Sequence, residues 1–175
     1  MKRIAIVLAF VLVAMQAPAF AQDLKIAVIN TAQVVATSEA GKYGEAEVQK
    51  KVSKLRAEVE KLETEFKTLV EDYKRQQAAL SVENRRLKEL EIKRRQNEIK
   101  ELYAAYRQAD QSARREVLPA IHQFLEQAAA EYLEKQGYTL VIDQTRGALA
   151  FYDKVLDVTP DVIKHCDEAW KAKGN

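Results

Sequence analysis

From Val48 onward, apolar or aromatic residues return in alternating steps of four and three: Val48, Val52, Leu55, Val59, Leu62, Phe66, Leu69 and Tyr73, closing on Leu80 after a skip at Gln76. That period keeps one narrow stripe of an α-helix against a partner and leaves the rest in water. Lys, Arg and Glu fill most positions between, and neither Gly nor Pro occurs from Glu45 to Leu118. A long charged helix with a narrow seam cannot bury that seam alone. Ala78-Ala79-Leu80-Ser81 predicts a tip, with Ser81 capping a new helix and Glu83 in its acid-favouring first turn. A thinner stripe follows at Leu87, Leu90, Ile92, Ile99, Leu102, Tyr106, Ala109 and Ala113. The two limbs have similar lengths, each about 55 Å for a helical rise of ~1.5 Å per residue. The pattern predicts an antiparallel helical hairpin over 43–118 with its tip near 78–82. One continuous helix dimerising in parallel is the alternative.

The flanking segments read differently. Residues 1–21 have the form of a signal peptide: Lys2 and Arg3, an apolar stretch from Ile4 to Met15, then Ala19-Phe20-Ala21, predicting cleavage between Ala21 and Gln22. The apolar run is short for a bilayer span. Lys25–Asn30 predicts a buried strand and Thr31–Ala36 a turn or two of helix. Pro119 is expected to interrupt the returning helix, whose pattern resumes at Ile121, Phe124, Leu125, Ala128, Tyr132 and Leu133 and stops at Gly137. Tyr138–Asp143 and Ala148–Tyr152 predict two strands joined as a hairpin through Gln144–Gly147. Thr159 is expected to cap a last helix with Pro160 at its first position. The fold class is therefore α+β. A small β-rich body from 22–42 and 119–175, with about three strands and two shorter helices, carries the 43–118 arm. So small a core favours oligomerisation through the body. Gly41, Gly44 and Pro119 fall where arm meets body and are candidates for a hinge, or for a fixed kink.

Charge sharpens the picture. Without Lys2 and Arg3 the chain has 26 basic and 26 acidic residues, but they are segregated. From Lys74 to Arg115 there are 12 basic and 6 acidic residues, whereas the acidic excess lies before Tyr73 and after Arg115. Arg86, Lys93, Lys100, Arg107 and Arg114 are each seven residues from the next, a basic ridge about 42 Å long at ~1.5 Å per residue. Glu89 precedes Lys93 by four and Asp110 precedes Arg114 by four, which predicts local pairing; Lys100 has no such neighbour.

No catalytic constellation stands out. His122 and His165 lack partners at metal-ligand spacing, no Gly-rich phosphate loop or GxSxG occurs, and Asp143, Asp153 and Asp157 read as turn or edge residues. Neither enzyme activity nor a cofactor is expected. The lone Cys166 reads as a small buried hydrophobe, with an intermolecular disulfide as the alternative.

The export signal, the opening strand Lys-Ile-Ala-Val-Ile-Asn, the charged hairpin, and the closing Leu140-Val-Ile-Asp143 and Asp157-Val-Thr-Pro-Asp-Val-Ile-Lys164 together resemble the Skp/OmpH family of periplasmic chaperones. The resemblance covers the whole chain after the signal and is most specific in the body. It implies a homotrimer of jellyfish form, whose arms enclose unfolded outer-membrane β-barrel proteins without ATP. The near-zero charge departs from the strongly basic best-known members, and Pro119 is a second departure. The family's proposed lipopolysaccharide site does not transfer residue by residue. The ridge reads either as a solvated face or as a cation track for acidic client segments or lipopolysaccharide phosphates, or an anionic membrane surface. Val70, Val82 and Tyr103, off the seam, are candidate client contacts. A structural adaptor bridging envelope layers is the rival function. Export and the lack of aromatic stacking platforms count against nucleic acid.

Overall fold

The computed structural model describes residues 24–146 and 149–174. The elements run β1 (Ile26–Ile29), α1 (Thr31–Thr37), α2 (Glu39–Gln76), α3 (Val82–Lys135), β2 (Leu140–Asp143), a 3₁₀ turn (Lys154–Leu156) and α4 (Thr159–Ala172). Helices α2 and α3 form an antiparallel hairpin joined by Gln77–Ser81, as the periodicity predicts, and the continuous-helix alternative is excluded. Ser81 caps α3 by accepting from the Asn84 N–H (3.3 Å).

Pro119 does not interrupt the helix. α3 runs 54 residues from the tip through the expected break and into the body. The physical reason is packing on both sides of the proline. Ala113 is buried against α2, and Ile121, Phe124, Leu125 and Ala128 are buried in the body core. Pro119 itself lies on the exposed face, where water can take the Arg115 carbonyl that the missing N–H leaves free. The helix ends where Gly137 adopts φ 73°. The Tyr138 N–H reaches Leu133 O (3.1 Å) and the Gly137 N–H reaches Glu134 O (2.9 Å), a Schellman closure.

The body also differs from the expected hairpin. β2 pairs in parallel with β1, Ile26 opposite Leu140 through Ile29 opposite Asp143, and Val28 also bridges to Asp157. Among the described residues the sheet has two strands. Gly147 and Ala148 lie outside the described residues. Leu149–Tyr152, the remainder of the second expected strand, forms none, because its apolar side chains find little burial within one chain: Phe151 is 88% exposed. Thr159 is the first residue of α4 rather than its cap; its hydroxyl instead accepts from the Asn30 N–H (2.9 Å), tying α4 to the end of β1.

Asp143 closes the sheet onto α1. Its carboxylate accepts from the hydroxyls of Thr31 and Thr145 (both 2.7 Å) and from the Thr145 N–H (2.9 Å). Partial burial alone would raise its pKa, but these hydrogen bonds outweigh that and hold it at about 2. With the folded pKa depressed, the stabilisation is complete above the ordinary aspartate value of 3.8 and is lost as pH falls towards about 2. Asp143→Asn should cost about 1–2 kcal/mol in urea unfolding at pH 7, and the difference between the two proteins should shrink as the pH is lowered through that window.

Candidate functional site

The helical arm is the longest feature of the fold, and most of its surface is exposed. Near its root the seam is deep. Val48, Val52 and Ala113 are buried, with Tyr106, Ala109, Val117 and Leu118 packed around them. Outward the seam thins: Val59 is the last buried residue, and Leu62, Phe66, Leu69 and Tyr73 are half-buried. The second limb's stripe fails towards the tip, where Leu87 and Leu90 are exposed instead of facing α2.

Polar rungs replace the lost apolar contact. Tyr73 Oη donates to Glu89 Oε1 (2.5 Å), and Tyr103 Oη donates to Glu63 Oε1 (2.6 Å). The carboxylate acceptors raise both tyrosine pKa values. Periodicity makes Tyr73 a seam residue and gives Tyr103 no partner; a tyrosine opposite a glutamate in antiparallel register is the signal that could have found both rungs. At the root, Arg114 Nη1 and Nη2 donate to the two oxygens of Glu45 (both 2.9 Å), while Arg114 Nε donates to Asp110 (2.9 Å). The Arg114 hydrogen bonds, with a further one from Gln49, hold the Glu45 carboxyl below the usual range, and Glu45 raises Arg114 in turn. Lys51 and Glu116 form a second bridge between the limbs (2.9 Å).

The five ridge residues are thus not equivalent. Arg86, Lys93, Lys100 and Arg107 are exposed, whereas Arg114 is engaged in the root clamp. The expected Asp110–Arg114 pair is present; the expected Glu89–Lys93 pair is absent, and Glu89 accepts from Tyr73 instead. Of the off-seam residues, Val82 is fully open at the tip, Tyr103 is exposed on the flank, and Val70 is half-buried. Ala21 and Gln22 lie outside the described residues.

Two of the three hinge candidates, Gly41 and Gly44, sit in tight surroundings. Gly41 and Gly44 are buried inside α2, whose first turn is held by Ser38 Oγ accepting from the Gly41 N–H (3.2 Å) and by Asp167 Oδ1 accepting from the Glu39 N–H (2.7 Å). A Cβ at Gly41 would stand 1.7 Å from the Val35 carbonyl oxygen, and one at Gly44 would stand 2.9 Å from Ile121 Cγ1. Trp170 of α4 packs between Tyr43 (5.5 Å) and Phe124 (5.0 Å), and Lys171 pairs with Glu39 (2.9 Å). These glycines permit close approach of α2 to α1 and to α3; Pro119 lies within an unbroken helix. Cys166 is fully buried under the same helices, and burial pushes its thiol up to about 11. Among the described residues, no group of His, Cys, Asp and Glu could hold a metal ion, and no helix is long and apolar enough to cross a membrane.

The contacts set an order of mutational cost. Gly41→Ala meets backbone and should lose about 3 kcal/mol of stability or fail to fold, whereas Gly44→Ala meets a side chain and should lose about 1 kcal/mol. In the same unfolding assay Arg114→Gln should cost about 1 kcal/mol while Arg107→Gln stays within about 0.5 kcal/mol of the parent.

Residues 25–165 match the family described as outer membrane protein (OmpH-like). A Skp-like protein of Pseudomonas aeruginosa is 27% identical over 154 residues, covering 88% of this chain and 90% of that protein. The crystal structure of an OmpH-like protein of Caulobacter crescentus shares the fold, with a TM-score of 0.53 and 13% identity over 82% of this chain and 84% of the other. A family match across most of the chain, on a body and hairpin arm of this form, places the protein in the OmpH-like family.

Proposed function

We propose that the protein is an ATP-independent periplasmic holdase that receives unfolded outer-membrane β-barrel proteins between helical arms and prevents their aggregation. Membership of a chaperone family, not an enzyme family, supports this reading. The structural observation that carries it is the arm: a rung-locked hairpin, about 57 Å long at ~1.5 Å per residue along α2, with its outer faces exposed. Unfolded barrel strands aggregate through open edges and alternate apolar positions. Many weak contacts along several arms can shield such a chain and still release it.

Enclosure needs more than one arm, and a homotrimer assembled through the body fits the surface there. Leu140 and Val141 are exposed on β2, and Phe151 and Val155 in the segment that follows are exposed as well. A second copy covering these residues would complete a core that one chain leaves open. A stiff, clamped arm root also suits a structural adaptor in the envelope. The two readings differ in partners: an adaptor keeps one fixed partner, a holdase accepts many.

Light scattering after dilution of a urea-unfolded barrel protein tests the function. The protein lacking residues 1–21 should suppress the signal without ATP, and native mass spectrometry should give a trimer alone and a trimer with one client bound. Unaltered scattering, or a monomer at micromolar concentration, would contradict the proposal.

A further inference from the structure

The exposed row on α3 has a property that its spacing alone does not convey. Steps of four and three from Arg86 pass through Leu90, Lys93, Asn97, Lys100, Ala104 and Arg107, and every one is exposed. No carboxylate occurs in this strip. Among the described residues none of its four cations has an ion-pair partner, although Lys88, Arg94 and Arg95 of the same helix are all paired with Glu91 or Glu98. Three carboxylates lie three or four residues from these cations: Glu83, Glu89 and Asp110. Glu89, four residues before Lys93, accepts from Tyr73 (2.5 Å), and Asp110, three after Arg107, accepts from Arg114 (2.9 Å). Arg114 neutralises Asp110, whereas Glu83 and Glu89 keep their charge, so four cations face two remaining carboxylates.

We propose that this strip is a binding track for an extended acidic polypeptide segment of the client. The inference rests on the holding function and names the part of the client that each arm takes. Successive cations are about 10.5 Å apart at ~1.5 Å per residue of helix. A polyproline-II segment advances about 3.1 Å per residue with three residues per turn, so carboxylates at every third position share one face about 9 Å apart and meet one cation after another within the reach of Lys and Arg side chains. Leu90 and Ala104, between the cations, offer apolar contact to the residues between the carboxylates. A lipid surface fits less well, since the row runs about 31 Å along the arm and a plane meeting the tip would touch Arg86 but not Arg107.

The test uses the protein lacking residues 1–21, a fluorescent peptide with Asp at every third position, and the same peptide with Asn in place of Asp. Fluorescence anisotropy at low salt should show the Asp peptide bound about tenfold more tightly. Arg86→Gln, Lys93→Gln, Lys100→Gln and Arg107→Gln together should abolish that preference, flatten the salt dependence, and leave the melting temperature unchanged. Tyr73→Phe, which alters no charge at neutral pH, should weaken the Asp peptide about twofold by releasing Glu89 to Lys93. Equal binding of the two peptides by the parent, or an unchanged preference in the fourfold variant, overturns the track. So does a loss confined to vesicles containing phosphatidylglycerol, which would assign the row to a lipid surface. If neither parent nor variant suppresses barrel aggregation while the peptide preference stands, the holding function fails and the track does not.

Discussion

The structure depends on one close approach, that of the first turns of α2 to α3 and to the end of α1. Gly44 lets the two long helices meet with Ile121 against the α2 backbone, and Gly41 lets α2 leave the body beneath the Val35 carbonyl. Around that junction the arm's seam and the body's core become neighbours. Val48 and Val52 begin one cluster, while Ala40, Ile121 and Phe124 belong to the other, and α3 runs unbroken through both. A displacement of the arm at this level would have to break packed apolar contacts, the Arg114–Glu45 clamp and the Asp167 cap together. Interfaces of this density shift between discrete arrangements rather than bending smoothly.

Stability is graded along the arm as a consequence. The root has buried valines and a bidentate ion pair; the middle has the Tyr103–Glu63 rung; the tip has the Tyr73–Glu89 rung, exposed Val82, Leu87 and Leu90, and an apolar seam only half covered. Net gain from exposed polar rungs is small, so the outer arm is the part expected to open most readily. That order fixes the limb at the body and leaves its outer part the more adaptable.

The sequence carried much of this plainly. A four-three period over Val48 to Tyr73 leaves few alternatives to a paired helix, and Ser81 and Gly137 mark helix ends with chemistry that acts locally. What it did not carry were features decided by tertiary partners. Pro119 is a helix breaker by its own covalent structure, and only the burial of Ala113 and Ile121 on either side shows why α3 continues. Leu149–Tyr152 has a strand's composition but pairs with neither strand of the sheet, and its Phe151 stays 88% exposed. The ridge was visible as a spacing, yet its division into a clamped Arg114 and four free cations required knowing that α2 places Glu45 and Tyr73 opposite Arg114 and Glu89.

The central claim is that α3 is a single lever, rooted in the body and continuous into the arm. Amide hydrogen exchange along α2 and α3 tests it most directly. A continuous α3 should show strong protection without a gap from Ala113 to Ala128, matched from Gly44 to Val52 and declining steadily towards the tip; beside Pro119, which has no amide proton, the neighbouring amides should exchange no faster than the helix around them. A fast-exchanging window at the root, between a protected arm and a protected body, would contradict the lever and restore a hinge.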